Sequence, residues 1–169
     1  SQFDEKKEKK ELNDKEILEK YNSQTNTNKC KYCDSEDIIT ENGNIIHSNI
    51  KHTSPEIASK FLRSALSEGD ILLTIVGTIG RVVIVPKEYE GANLNQSIAR
   101  IRVDKSKVNR DYLYYVLQAY PLTRQYDRQR FGTGVTRLNI AHVKDLQIPV
   151  PSLSRQEQIA GTLNLIRLV

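Results

Sequence analysis

Two apolar runs in the middle of the chain, Ile71 to Val76 and Val82 to Val85, are separated by Gly77-Thr78-Ile79-Gly80 and closed by Pro86. Runs rich in Ile, Val and Leu around a glycine-containing reversal predict a β-hairpin with a four-residue loop. Neither run alternates apolar with polar positions, so the sheet they enter should be covered on both faces. Upstream, Ser54 or Thr53 can cap a helix with Pro55 in its first turn, Ile57, Phe61, Leu62 and Leu66 forming its apolar face, before Gly69-Asp70 ends it. Downstream, Lys87 to Asn95 reads as a polar crossover and Gln96 to Val103 as a strand with Arg100 and Arg102 among its apolar positions.

The second half reads as helices and loops. Asn109 or Asp111 opens a predicted helix over 112–120 with Leu113, Val116 and Leu117 inward, Pro121 breaks it, and residues 122–131 continue as a second piece carrying Arg124, Gln125, Arg128 and Arg130. At helical spacing the tyrosines at 112, 114, 115, 120 and 126 are mostly packing residues, although such rings can also stack on bases. A glycine turn, Gly132 to Asn139, leads into a short helix over 140–145 that Asn139 can cap, and residues 146–151, LQIPVP, suggest an edge strand ended by prolines. Ser154-Arg155-Gln156-Glu157 has the form of a capping box, after which Ile159, Ala160, Leu163, Ile166 and Val169 make an apolar stripe suited to a partner helix. At the start, Lys and Glu dominate residues 3–21, predicting an exposed helix, and residues 22–28, NSQTNTN, a linker.

Charge sharpens this division. The first 60 residues carry 10 Lys, no Arg and 12 acids, a net −2, whereas the rest carry 15 Lys plus Arg against 9 acids, a net +6. Every arginine therefore lies in the second part, and its planar donor fork suits phosphates and guanine edges; a mildly basic solvated surface accounts for the same charge. A length of 169 residues predicts one domain with extensions, no apolar run approaches the roughly 20 residues of a membrane span, and a cytoplasmic protein is expected.

Candidate chemistry is sparse. Cys30 and Cys33, followed by His47 and His52, fit the C-x2-C…H-x4-H spacing of a zinc site, but the intervening segment lacks the aromatic and leucine of a finger helix. Instead Glu41-Asn42-Gly43-Asn44 marks a turn between two short strands, over 37–40 and 45–48, and two free thiols with two surface histidines explain the same residues. Backbone N–H groups of the Gly132 turn could seat a phosphate, but Gly-Lys-Ser/Thr is absent, so nucleotide hydrolysis is unsupported. No Asn/Asp-Pro-Pro-Tyr/Phe methylase loop and no Pro-Asp…Glu-x-Lys nuclease pattern occurs, and the three histidines have no evident nucleophile partner.

Seven short motifs fall in a telling order: Gly69-Asp70-Ile71-Leu72, Gly77-Thr78-Ile79-Gly80, Asn95-Gln96, the Tyr-Leu helix at 112–117, Gly132-Thr133 to Leu138-Asn139, Ile148-Pro149-Val150-Pro151, and Glu157-Gln158-Ile159. Together they resemble the target recognition domain of restriction-modification specificity proteins, either the specificity subunits of type I systems or the recognition segments of bifunctional type II enzymes. The resemblance covers about Asp37 to Ile166. It implies an α+β fold: a single compact domain with a twisted mixed or antiparallel sheet, flanking helices and a C-terminal amphipathic connecting helix. The implied division is residues 1–29 as charged helix and linker, 30–153 as recognition domain and 154–169 as the start of the connecting helix. The family usually opens with a tryptophan-containing strand near residues 1 to 30, and this chain has no Trp, so its start is expected to be truncated or replaced by the charged helix.

The resemblance implies a non-enzymatic reader of double-stranded DNA that needs no cofactor. Its expected partners are a DNA methyltransferase subunit or domain, with a restriction nuclease subunit as a further candidate. Arg128, Arg130, Thr133, Thr136 and Arg137 would seat phosphates or reach base edges, and Thr78 and Arg81 would present from the hairpin tip. Two alternatives stay open: a helix-presenting assembly module without DNA readout, and a zinc-stabilised nucleic-acid module.

Overall fold

The computed structural model describes residues 30–33, 39–46, 51–129 and 136–167. The predicted N-terminal helix and linker lie outside them. Two three-stranded sheets organise the fold. In the first, β1 (Cys30–Cys33) pairs antiparallel with β2 (Lys51–Thr53) and parallel with β5 (Asn93–Leu94). In the second, β3 (Ile71–Thr74) is central, antiparallel to both β4 (Val82–Ile84) and β6 (Ile98–Ile101). The mixed and antiparallel sheets with flanking helices are the α+β arrangement the motifs implied.

β3 is buried on both faces, as its unbroken apolar pattern required. Ile71, Leu73 and Ile75 face a core built with Tyr112, Leu113, Leu117, Leu122 and Tyr126, while Leu72 faces a second core of Ile39, Leu66, Val83, Val85, Tyr89 and Ile98. Ile71, Leu72 and Leu73 have no exposed surface, and each such side chain contributes roughly 1.5–3 kcal/mol of burial. The strand stops at Thr74, however, so the connection to β4 is longer than a four-residue loop. Ile75 has left β4, donating to the Ser97 carbonyl at 2.9 Å, because Thr74 closes the reversal itself by accepting from Gly80 N and donating to Arg81 O.

Helix α1 (Pro55–Ser59) starts as predicted, with Ser54 accepting from Ile57 N and proline in the first turn. It is shorter than its apolar periodicity suggested. A 3-10 turn (Leu62–Ser64) replaces its second half, leaving Ile57 49% and Phe61 56% exposed while Leu66 enters the core. The crossover after Pro86 is less polar than it looked: a 3-10 turn (Lys87–Tyr89) buries Tyr89, and β5 follows.

Helix α2 (Arg110–Gln118) is capped by the Asn109 side chain, which accepts from Tyr112 N. It ends before α3 (Tyr120–Gln129) at Ala119, whose ψ of 147° is extended. Pro121 has no N–H to give the Leu117 carbonyl four residues back, and the buried Tyr126 hydroxyl donates to that carbonyl instead, at 2.7 Å. Helix α4 (Ile140–Lys144) is capped by Asn139 as expected.

Residues 146–151 do not form the predicted edge strand. Side chains satisfy their backbone instead: Gln125 Nε2 donates to Gln147 O and Gln125 Oε1 accepts from Gln147 N, both at 2.9 Å, and the Tyr112 hydroxyl donates to Pro149 O. Helix α5 (Leu153–Arg167) then begins one residue before Ser154, so the cap is Ser152, whose carbonyl accepts from Gln156 N. Gln156 is wholly buried and ties α5 to the start of α2: its Oε1 accepts from Asn109 N, and its Nε2 donates to Pro151 O. Ala160 completes the contact with α2, but Leu165 and Ile166 are 69% and 66% exposed.

Candidate nucleic-acid interface

The hairpin tip is built by Thr74, a residue with no exposed surface. Its hydroxyl donates to the Thr78 carbonyl and accepts from Arg81 N, so one side chain closes the turn from inside. Gly77 and Gly80 adopt φ of 69° and 95°, which a β-carbon disfavours. At Gly80 a β-carbon would also lie 3.3 Å from the Tyr126 ring, so the tip rests directly on α3.

The segment after the glycine turn comes to this tip. Val76 and Arg137 form an antiparallel bridge, Gly77 N donates to Thr136 O at 2.9 Å, and Leu138 N donates to Ile75 O at 2.8 Å. Leu138 is buried, which anchors the added rung, while Thr78 and Arg137 stay exposed and Thr136 half-buried. Two of the sequence-predicted regions, 60 residues apart in the chain, thus share one surface. Arg128 is exposed in the last turn of α3. Arg130 and Thr133 lie outside the described residues.

Arg81 departs from its expected role. Its guanidinium turns back from the tip, donating to the Ile39 carbonyl at 2.9 Å and lying 4.0 Å from the Glu41 carboxylate, and its side chain is 21% exposed. It fastens the 39–45 turn to the sheet. That turn holds the predicted Asn42-Gly43 reversal, with Ile39 and Ile45 bridged across it. Gly43 has φ 70°, and the Tyr114 hydroxyl and Val82 carbonyl occupy the space a β-carbon would need. Arg167 at the end of α5 donates to Asn42 O at 2.8 Å and lies over the Tyr114 ring at 5.1 Å, locking helix and turn together.

Asp70, missed as an organising residue by sequence reasoning, is buried at the entry to β3. Arg102 grips it with Nε and Nη2, each at 2.9 Å, and Ser67 N donates to the same carboxylate. The period-two spacing of Arg100 in β6 and Arg102 just past its end was the available signal, since it brings both cations to Asp70, with Arg100 Nε 4.0 Å from its carboxylate.

The ionisable groups that the fold perturbs point away from acid–base chemistry. The Asp70 carboxylate pushes the Arg102 guanidinium further up, hydrogen bonds from Ser106 hold Asp104 below the ordinary carboxylate range, and burial pushes the Tyr126 phenol up. Each shift is away from neutrality, so none of the three is poised to exchange a proton there. Among the described residues no group of three or more His, Cys, Asp or Glu could hold a metal. Cys30 and Cys33 bound β1 and His52 lies in β2, opposite Lys31, while His47 lies outside the described residues. No helix among the described residues is long and apolar enough to cross a membrane.

The described fold thus consists of two small three-stranded sheets with a hairpin tip presented beside a basic helix. The chain matches the type I restriction modification DNA specificity domain over residues 5–166, and it belongs to that family. It is 28% identical over 129 residues to the type I restriction enzyme EcoBI specificity subunit of Escherichia coli, covering 76% of this chain and 26% of that protein. To the MjaVIII specificity subunit of Methanocaldococcus jannaschii it is 23% identical over 128 residues, covering 73% and 30%. The chain therefore spans about a quarter to a third of the length of these relatives. Two solved structures share the fold: the HsdS subunit from Thermoanaerobacter tengcongensis (TM-score 0.66, 18% identity, 82% of this chain and 35% of that one) and a chain of a type I R-M system complex (TM-score 0.68, 17% identity, 85% and 37%). These relatives are specificity subunits, and the motif-based resemblance agrees with the family match.

Proposed function

We propose that this domain reads part of a double-stranded DNA target and directs a DNA methyltransferase, and with it a restriction nuclease, to that target in the cytoplasm. The observation that carries the reading is the rung joining Val76 to Arg137, which sets Thr78, Thr136 and Arg137 on one rigid edge at the hairpin tip. A tip whose own backbone is satisfied from within can insert side chains toward base edges without exposing strand polar groups. Arg128, Arg130 and Thr133 are candidate contacts beside this edge. Family membership supports the same role.

The test is binding of the full protein to its cognate duplex and to unrelated duplex over a salt series. A DNA reader shows a steep fall of log affinity with log salt, and Arg137→Ala costs about 1–3 kcal/mol on the cognate duplex if Arg137 reads a base. Equal weakening on every sequence assigns Arg137 to phosphate, and unchanged affinity for all duplexes removes it from the interface. If the wild type binds no duplex in a salt-dependent way, the assembly-module reading replaces this one. The exposed Leu165 and Ile166 on α5 are the observation that favours that second reading, as a contact for the methyltransferase.

A further inference from the structure

The outer face of α3 brings unneutralised cations and an exposed ring together. Tyr120, Arg124 and Arg128 are four residues apart, so they follow one another along a single helical face with a rise of about 6 Å per step. Leu122 and Tyr126 bury the opposite face. Tyr120 is 71% exposed, and the Arg124 guanidinium lies over its ring with 5.8 Å to the centroid. That cation–π contact steadies the arginine at the surface.

Four other arginines are held by carboxylates. Arg81 lies by Glu41, Arg100 and Arg102 by Asp70, and Arg110 by Asp111. No carboxylate of the described residues lies within 4.0 Å of Arg124 or Arg128. The strip forms one wall of an open groove of about 670 Å³, with Asp145 and Gln147 on the other wall and Asp145 the one acid lining it among the described residues. Gln125 fixes the separation of the walls through its two hydrogen bonds to the Gln147 backbone. An open groove with cations spaced one helical turn apart and a hydroxyl suits an extended polyanion better than a compact ligand.

We infer that this groove seats the sugar-phosphate backbone of a DNA strand, Arg124 and Arg128 pairing with its phosphates and the Tyr120 hydroxyl donating a further hydrogen bond. The assignment rests on the proposed DNA-reading role and divides the labour within it: the hairpin tip chooses bases, and the α3 strip holds the strand without regard to sequence. Helix α3 joins the two surfaces rigidly, since Tyr126 supports Gly80 of the tip from its buried face.

The full protein is assayed on cognate and unrelated duplex across a salt series as wild type, R124A/R128A, R124K/R128K and Asp145→Asn, with thermal melting to confirm folding. Loss of both arginines should lower affinity on the order of tenfold or more for both duplexes alike and reduce the salt slope by about 2, at roughly 0.9 per phosphate contact. The lysine pair should restore most of the slope because charge is kept, and Asp145→Asn should tighten both duplexes. An R124A/R128A variant that is folded and binds with wild-type affinity and slope overturns the groove assignment while leaving the tip as reader. Weakening confined to the cognate duplex also overturns it, by making the strip a base reader. A wild type without salt-dependent duplex binding overturns the groove assignment together with the DNA-reading role.

Discussion

Replacing Gln156 with leucine should destabilise the domain by about 3 kcal/mol, through hydrogen bonds alone. The two side chains are close in size, so packing against α2 is retained. Gln156 is fully buried, and its loss strips the Asn109 amide of its 2.8 Å acceptor and the Pro151 carbonyl of its 2.7 Å donor, with a longer 3.3 Å contact to Lys107 O lost as well. A buried backbone group left unsatisfied costs about 1–3 kcal/mol, and leucine recovers part of that by having no amide to desolvate. The total is a large share of a domain's usual 5–15 kcal/mol, taken here as a rough range. With a urea m-value of about 2 kcal/mol/M, the unfolding midpoint followed by circular dichroism should fall by about 1.5 M at unchanged slope. Gln156→Glu supplies the control. A protonated carboxyl can both donate and accept in place of the amide, whereas burial raises its folded pKa above the unfolded value of about 4.3. That variant should be most stable below the unfolded pKa and lose stability as pH rises through the folded one. A midpoint shift below about 0.5 M for Gln156→Leu, roughly 1 kcal/mol by the same m-value, would refute the reasoning by showing that water reaches these groups.

Gly43→Ala should destabilise by more than 1 kcal/mol, an order-of-magnitude figure for a forced left-handed residue, because φ is 70° and the Tyr114 hydroxyl and Val82 carbonyl fill the β-carbon's place; a melting temperature equal to wild type contradicts this. Tyr126→Phe leaves the Leu117 carbonyl without the donor that replaces the Pro121 N–H, costing about 1 kcal/mol near neutrality. Since burial raises the Tyr126 phenol above the unfolded value of about 10, its contribution is present below that pH and fades as pH climbs through the folded pKa. Denaturant midpoints of wild type and Tyr126→Phe should therefore converge above about pH 10, and parallel curves would count against it. Asp70→Asn should cost about 1–2 kcal/mol, discounted because the Arg102 side chain is 58% exposed and can turn to water; a double-mutant cycle with Arg102→Ala that shows no coupling would discard the pair.

The elements that sequence made legible are those whose signal is local. The hairpin, the Ser54, Asn109 and Asn139 caps, the break near Pro121 and the Asn42-Gly43 turn each follow from a few neighbouring residues. Where tertiary hydrogen bonds decided the outcome, the pattern misled. Residues 146–151 looked like a strand, but Gln125, Tyr112 and Gln156 answer their backbone groups, and no ladder is needed. Arg81 looked like a tip residue, but the Ile39 carbonyl 42 positions away claims it. Thr74, the residue that closes the tip, sits at the end of an apolar run and gives no sign of its role until Thr78 and Arg81 are folded against it. The placing of the Arg137 segment beside the hairpin tip depends on an antiparallel bridge from Val76 to Arg137 between distant segments, which no local periodicity encodes.

The same architecture explains how the exposed edge at the hairpin tip can change without endangering the fold. The backbone at the tip is held by Thr74, Thr136 O and Ile75 O, and the glycines at 77 and 80 set its path, so the exposed Thr78 and Arg137 side chains support nothing beneath them. Surface side chains of this kind usually move stability by within about 0.5 kcal/mol when replaced, whereas Thr74, Asp70 and Gln156 are buried and committed to several partners each. On the proposed DNA-reading role, recognition and stability reside in different residues even where they are four positions apart, as Thr74 and Thr78 are. The consequence of that role is directional: substitutions at exposed tip positions would alter which duplex is bound at almost constant stability, while substitutions at the buried polar residues would lower binding to every duplex by depopulating the fold.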